Sequence, residues 1–426
     1  MMNCYSWLFL LTLLFGFSNL IGQSISLDEC YTLARKNYPA VRKTDLINRI
    51  GHLDMANANT KFLPRLTISG HASYQSEVID YAALFGDAPL PGGIMPPVIS
   101  RDQYRIQAEL SQLLYDGGQN RFEKEIIHAN QLAQESQLEA ELYPIRNRIQ
   151  TAYFSILLVD ARLQLIDLSK STLQQQLRKI EAAIANGMAW KSQADELRVE
   201  LLLLESQISE LESTRRSWLG ILALFTDQDI PASVKLEQPE ITSIDTSIRR
   251  PELNAFNARQ LLFSTRQNQL KAVSRPDVSL FLQGAYGRPT LNMLKNEFGP
   301  WYVAGLRLQW PLAAVYTVKN KREIFELNRL SVDAEREVFL LNTRMDIRQQ
   351  QENIRKYERL IEHDEDIIVL RVAVTAAAEA QLESGVITVH DYIQKHNAEH
   401  AARLQKQEHQ LHRLLAMHQL QQLTGN

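Results

Sequence analysis

The chain has 426 residues, a formal net charge of −3 and a mean hydropathy of −0.25. That charge supplies no field for nucleic acid, and 22% charged residues exclude a polytopic helical membrane protein. With two cysteines in all, one of them in the leader, the exported body has no internal disulfide and relies on packing.

In chain order, residues 1–22 read as a secretory signal. An apolar run from Trp7 to Phe17 precedes small residues near Gly22, although Met1 to Ser6 carry no Lys or Arg. Cys4 leaves with the signal, and Cys30 lies in Leu27-Asp28-Glu29-Cys30, which is not a lipid-attachment box. A helical pattern over 27–61 leads into two alternating segments, 64–74 and 104–111, within a hairpin 64–115. Helical patterns then cover 118–184 and 190–225. A linker, 227–250, holds Pro231, Pro239 and a possible short strand at 234–236. The series then repeats, with a helix over 251–273, a hairpin over 276–312, and helices over 318–384 and 388–423. No segment after the leader approaches the ~20 consecutive apolar residues of a spanning helix.

The repetition is literal at landmarks. Pro39, Pro64 and Tyr74 return as Pro251, Pro276 and Tyr286 at one constant spacing. Leu110, Gly187 and Thr226 return as Leu308, Gly385 and Thr424 at a second, and the difference falls in the loop between the paired strands (75–103 against 287–301). Exposed loops tolerate length changes where packed elements do not. The chain is therefore internally duplicated: a first repeat over 23–226, a linker, and a second repeat over 251–426.

The alternating segments each have an oily and a wet side. Leu66, Ile68, Ala72 and Tyr74 oppose Arg65, Thr67, Ser69, His71 and Ser73; Tyr104, Ile106, Ala108 and Leu110 oppose Arg105, Gln107, Glu109 and Ser111. In the second copy Val278, Leu280, Leu282 and Tyr286 oppose Asp277, Ser279 and Gln283, and Tyr302, Ala304, Leu306, Leu308 and Trp310 oppose Arg307 and Gln309. A soluble sheet lying on a core would show the same alternation. Three features favour transmembrane strands: lengths of ~9–11 residues, aromatic residues gathered at both ends, and long loops on one side only. Arg65, His71, Arg105, Glu109, Asp277 and Arg307 then line a wet interior. Four strands leave two edges open, and unpaired backbone groups in lipid cost several kcal/mol each. Closed barrels begin at about eight strands, so chains must share one; two chains or three would suffice.

The helices carry a coiled-coil seam. Leu197, Leu201, Leu204, Ile208, Leu211, Trp218, Leu222 and Phe225 keep four-three spacing, interrupted at Arg215, and Leu173, Leu177, Ile180 and Ile184 keep it on the preceding helix. Pro144 should unwind the first long helix. Asn186-Gly187 and Ser384-Gly385 end the two long helices, with Ser192 and Thr388 as candidate N-caps of the returning ones. His390, His396, His400, His409, His412 and His418 crowd the last helix. His396 and His400 are one turn apart but lack the order of a zinc-protease helix, so a solvated face is the better reading and no metal is expected. No phosphate loop, catalytic triad or redox pair is present, so neither enzyme activity nor a cofactor is expected and energy must come from a partner.

The chain resembles the TolC-type outer membrane efflux family along nearly its whole mature length. The resemblance lies in the duplicated order of helix, hairpin, long helix, glycine turn and long helix. Local matches are Phe62-Leu63-Pro64 before the first strand, Leu114-Tyr115-Asp116-Gly117-Gly118 after the second, Gln309-Trp310-Pro311-Leu312 after the fourth, and Val386 to Tyr392 after the second glycine turn. The second copy departs in having Ala314-Val315-Tyr316 for the Asp-Gly-Gly turn. The resemblance implies a mixed α and β fold whose four strands per chain complete a 12-stranded barrel in a homotrimer, continued by a long α-helical coiled-coil barrel. It implies an exit duct for efflux or type I secretion, placed in the outer membrane of a Gram-negative bacterium and fed by an inner-membrane transporter through a periplasmic adaptor. Gly187, Ser192, Gly385 and Thr388 would meet that adaptor. Asp391 falls where the family carries an acidic ring at the periplasmic mouth; the next acidic position is Gln394 here, the first-copy position is Gln193, and a basic tip partner is replaced by Ile387. A periplasmic adaptor with long helical hairpins is the rival architecture, distinguished by a compact soluble β domain.

Overall fold

The computed structural model describes residues 24–81, 83, 86, 89, 93, 98–241, 245–292 and 295–426. The expected signal segment and parts of the first loop and the linker lie outside these residues. Contacts divide the chain into two units, each drawing on both repeats: one takes in residues up to 44, 137–253 and 337–426, and the other 45–136 and 254–336.

The second unit contains the sheet. Its strands are β2 (Arg65–Tyr74), β3 (Asp102–Tyr115), β5 (Asp277–Arg288) and β6 (Gly299–Gln309), antiparallel in that order. Leu66 sits opposite Leu110, Leu110 opposite Leu282 and Leu282 opposite Ala304, so one register row is oily across all four strands. β3 and β6 begin earlier than the alternation suggests, and β3 continues to a bulge between Leu113 and Tyr115. Among the described residues β2 and β6 each pair on one side only. The helical part of this unit includes α2 (Arg42–Asn59), α3 (Gln119–Leu142) and α6 (Pro251–Val273). Gln131 of α3 donates to Asn48 Oδ1 at 2.7 Å, and Ala129, Ala133, Ala258 and Leu262 form a small core that brings α3 and α6 together.

The first unit is helical. It contains α1 (Leu27–Asn37), α4 (Ile145–Ala185), α5 (Lys191–Thr226), α8 (Val389–Thr424) and the later part of α7 (Val315–Glu383, 69 residues). The first helical pattern is divided: Tyr38 is extended (φ −63°, ψ 127°), because a residue before proline avoids the helical region and Pro39 supplies no amide donor. Pro144 acts as expected, with α3 ending at Leu142 and α4 starting at Ile145. The coiled-coil residues are buried where the spacing placed them: Leu173 and Leu197 are fully enclosed, with Leu177, Ile184, Leu201, Ile208 and Leu211 packed around them.

The interruption at Arg215 is also explained. Its guanidinium binds Asp160 at 2.5 Å and donates to the carbonyls of Ala232 and Val234. It thus ties α5 to the linker, where the short strand β4 (Lys235–Leu236) pairs in parallel with β1 (Ser24–Ile25). Tyr153 lies beneath this pair, donating its hydroxyl to the carbonyls of Ile25 and Glu237 at 2.8 and 2.6 Å.

Candidate functional site

The sheet is inside out relative to a soluble one. On β6 the even-numbered side chains (Tyr302, Leu306, Leu308) are exposed, while Trp301, Val303 and Gly305 on the other face are half-buried. On β5, Leu280, Leu282 and Tyr286 are exposed, while Ser279, Gln283 and Ala285 are half-buried. On β2, Ile68 keeps 71% of its surface. Leucines turned outward with polar groups on the sheltered side are unfavourable in water and favourable in lipid.

Arg65, His71, Arg105, Glu109, Asp277 and Arg307 all share the sheltered face by register. His71 is directly opposite Arg105. Arg307 reaches across β5 to Glu109 at 3.3 Å and lies over the Phe281 ring, 4.8 Å from its centroid. Phe281 and Trp301 also belong to this face, which alternation alone did not single out. Phe281 packs on Gly305, where an added Cβ would come within 3.2 Å of the ring. An aromatic residue at an odd position opposite a glycine was the available signal.

Within the first unit, the two hairpin turns are built alike. Gly187 (φ +72°) and Gly385 (φ +74°) take the left-handed conformation. Met188 N–H donates to Ala183 O and Val386 N–H to Gln381 O, both at 2.8 Å. These are the paired bonds of a Schellman ending, which glycine permits at least cost. Thr388 caps α8 as expected: Asp391 N–H donates to Thr388 Oγ1 at 3.1 Å, while the Thr388 hydroxyl and amide donate to Asp391 Oδ2 at 2.7 and 3.1 Å. The hydroxyl first, then the amide, hold the Asp391 carboxyl below its usual range, so it is charged. Ser192 is not a cap. α5 begins at Lys191, and Gln193 closes the turn by accepting the Trp190 N–H at 3.2 Å, leaving Ser192 inside the first turn.

Met188, Trp190 and Val386 stand exposed at these turns, Trp190 at 79%. Neither Met188 nor Trp190 was singled out by pattern; a large apolar residue beside a glycine turn was the signal. Lys179 bridges the two hairpins, donating to Glu379 and Glu383 at 2.9 and 2.7 Å. The last-helix histidines are not a solvated face throughout. His396 is buried, with Nε2 at 2.8 Å from Ser169 Oγ and its ring on Tyr392, and His409 Nδ1 meets Asp364 at 2.6 Å. The helix turns this side toward α4 and α7, so packing removes the rings from water.

The sheet turns leucines outward and, among the described residues, leaves β2 and β6 each paired on one side only, in one chain with long helical hairpins. The family described as Outer membrane efflux protein matches residues 31–219. Solved structures extend the likeness to nearly the whole chain. VceC of Vibrio cholerae is 14% identical with a TM-score of 0.64, covering 93% of this chain and 96% of that one. The CmeC channel of Campylobacter jejuni is 14% identical with a TM-score of 0.61, covering 93% and 86%. The MtrE channel of Neisseria gonorrhoeae, in its open state, is 14% identical with a TM-score of 0.65, covering 94% and 89%. No curated protein matches the chain by sequence. The chain shares the fold of these outer membrane channels, and its residues 31–219 match the outer membrane efflux protein family.

Proposed function

We propose that three copies of this chain close a 12-stranded barrel in the outer membrane and continue it as a helical duct. The duct conducts cargo passively from a periplasmic adaptor and inner-membrane pump to the exterior. The observation that carries this reading is the inside-out sheet with unpaired β2 and β6 edges. Such edges in lipid must be completed by another chain. Exposed apolar residues at helical spacing on α7 (Val338, Leu341 and Met345) support the same neighbour along the helices.

In this reading the tips around Gly187 and Gly385, with Ser192, Thr388 and the exposed Trp190, receive the adaptor. Three Asp391 carboxylates form the periplasmic gate, charged for the reason given above, where a bound cation would block passage. The test is extraction and sizing. The mature protein should require detergent and run as a heat-sensitive trimer on gels. A monomer stable in detergent-free buffer overturns the proposal.

A further inference from the structure

We infer that the barrel wall favours anions and draws in cargo bearing carboxylate, sulfate or phosphate groups, with Arg105 and Arg65 as its uncompensated charges. This rests on the reading above, in which the sheltered face of the sheet is the lumen.

The charge balance follows from the register. That face carries Arg65, Arg105 and Arg307 against Glu109 and Asp277, one positive charge in excess per chain before His71 is counted. The charges are also unevenly distributed. Glu109 is spent on Arg307 at 3.3 Å, and that guanidinium lies on the Phe281 ring, so this pair neutralises itself around the level of Arg65. Asp277 sits at the helix end of β5, opposite Gln309, about ten residues or ~33 Å along the strand from the level of Arg105. Arg105 and Arg65 have no ion-pair partner among the described residues.

At the loop end the row is His71, Arg105, Gly287 and Gly299. Two of its four positions carry no side chain, and no acidic group shares the level. Six residues nearer the helices, about 20 Å along the strand, the row is Arg65, Ser111, Phe281 and Gly305, again without an acid. An anion entering from the loop end therefore meets the unpaired Arg105 guanidinium first and Arg65 deeper in, beside the self-neutralised Arg307–Glu109 pair, with Asp277 beyond Arg65 toward the helices. A narrow wall with low-dielectric surroundings focuses such a field, and arginine binds carboxylate, sulfate and phosphate through paired N–H donors.

The test places a reporter thiol between the two arginine levels. Ser69→Cys lies on the same face, and the native Cys30 is fully buried and silent. Intact cells are treated from outside with a negatively charged reagent, sulfonatoethyl methanethiosulfonate, or its positively charged trimethylammonium counterpart. Rates are normalised to those for free glutathione. The negative reagent should be favoured by about five-fold or more in the parent, falling to about one in the Arg65→Gln/Arg105→Gln background. Arg65→Lys/Arg105→Lys should retain the preference, which separates charge from misfolding. A preference that is absent, reversed or indifferent to the glutamines overturns the inference while leaving the duct intact. If Ser69→Cys resists both reagents while Ile68→Cys reacts with them, the lumen assignment itself fails and takes this inference with it.

Discussion

Tyr153 and Arg215 do similar work at single positions, holding a short parallel strand pair and the linker onto a helix. Both Tyr153 partners are backbone carbonyls enclosed with it. Tyr153→Phe should therefore cost about 1–2 kcal/mol, read as a lowered unfolding midpoint of the first unit. Asp391 has two roles that substitution separates. Asp391→Asn keeps an acceptor for Thr388 and removes the charge, so α8 should keep its start while cation block of the channel disappears. Asp391→Ala should lose both, loosening the start of the helix. Amide hydrogen exchange over residues 389–393, alongside single-channel recording with and without divalent cations, checks the pair. Block persisting in Asp391→Asn would remove this residue from the gate.

At the scale of elements, the glycine turns are the sharpest features. Neither Gly187 nor Gly385 has a neighbour that an added Cβ would strike, so the whole cost of Gly→Ala lies in the left-handed backbone. Each substitution should cost about 1 kcal/mol and raise exchange at its own tip alone. α8 should also respond to acid. Burial, the leading cause in each case, holds His396, His400, His412 and His418 below their ordinary 6.5. The charged groups near His396 are Glu399, Glu200 and His400, and Ser169 and Tyr392 pack on its ring. A group depressed in the folded state is neutral there, so above pH 6.5 it carries no penalty. As pH falls through 6.5 the unfolded chain takes up the proton first, and stability declines. Melting should therefore drop between about pH 7.5 and 5.5, and His396→Gln should flatten the decline. An unchanged slope in that variant would assign the effect elsewhere.

The elements also mark where sequence reading succeeds and stops. Strand alternation and four-three spacing are properties of one chain's own geometry, so the strands, the seam and both glycine turns were legible. So was Pro144, because its missing donor acts locally. The break at Tyr38 was missed although Pro39 was visible, because the periodic pattern resumes on the far side. Ser192 was misread because a serine near a helix start is common and the start lay one residue earlier. The burial of His396 could not be seen from α8 alone, since Ser169 and the groups that shelter it come from remote segments. Phe281 was passed over as an exception to alternation, whereas its partners Gly305 and Arg307 give the exception a reason.

For the whole molecule, the two contact units do not follow the two repeats. Each is assembled from both, so neither half of the sequence is a separable module. In the proposed duct the β2 and β6 edges, each paired on one side only among the described residues, extend this interdependence to neighbouring chains. With Thr67→Cys on β2, single cysteines stepped through Val303, Gly305 and Arg307 on β6 should give disulfide-linked oligomers at one register. A ladder at no position, in protein that reaches the membrane, would show that these edges do not meet.

The same open rims have a genetic consequence. A subunit that folds but carries a blocked passage would still be accepted by its neighbours, because the seam reads backbone and not the fault. If three copies form the ring, as proposed, and normal and faulty copies are in equal supply, only about one ring in eight would be wholly sound, so such an allele should be dominant in a cell that also makes the healthy product.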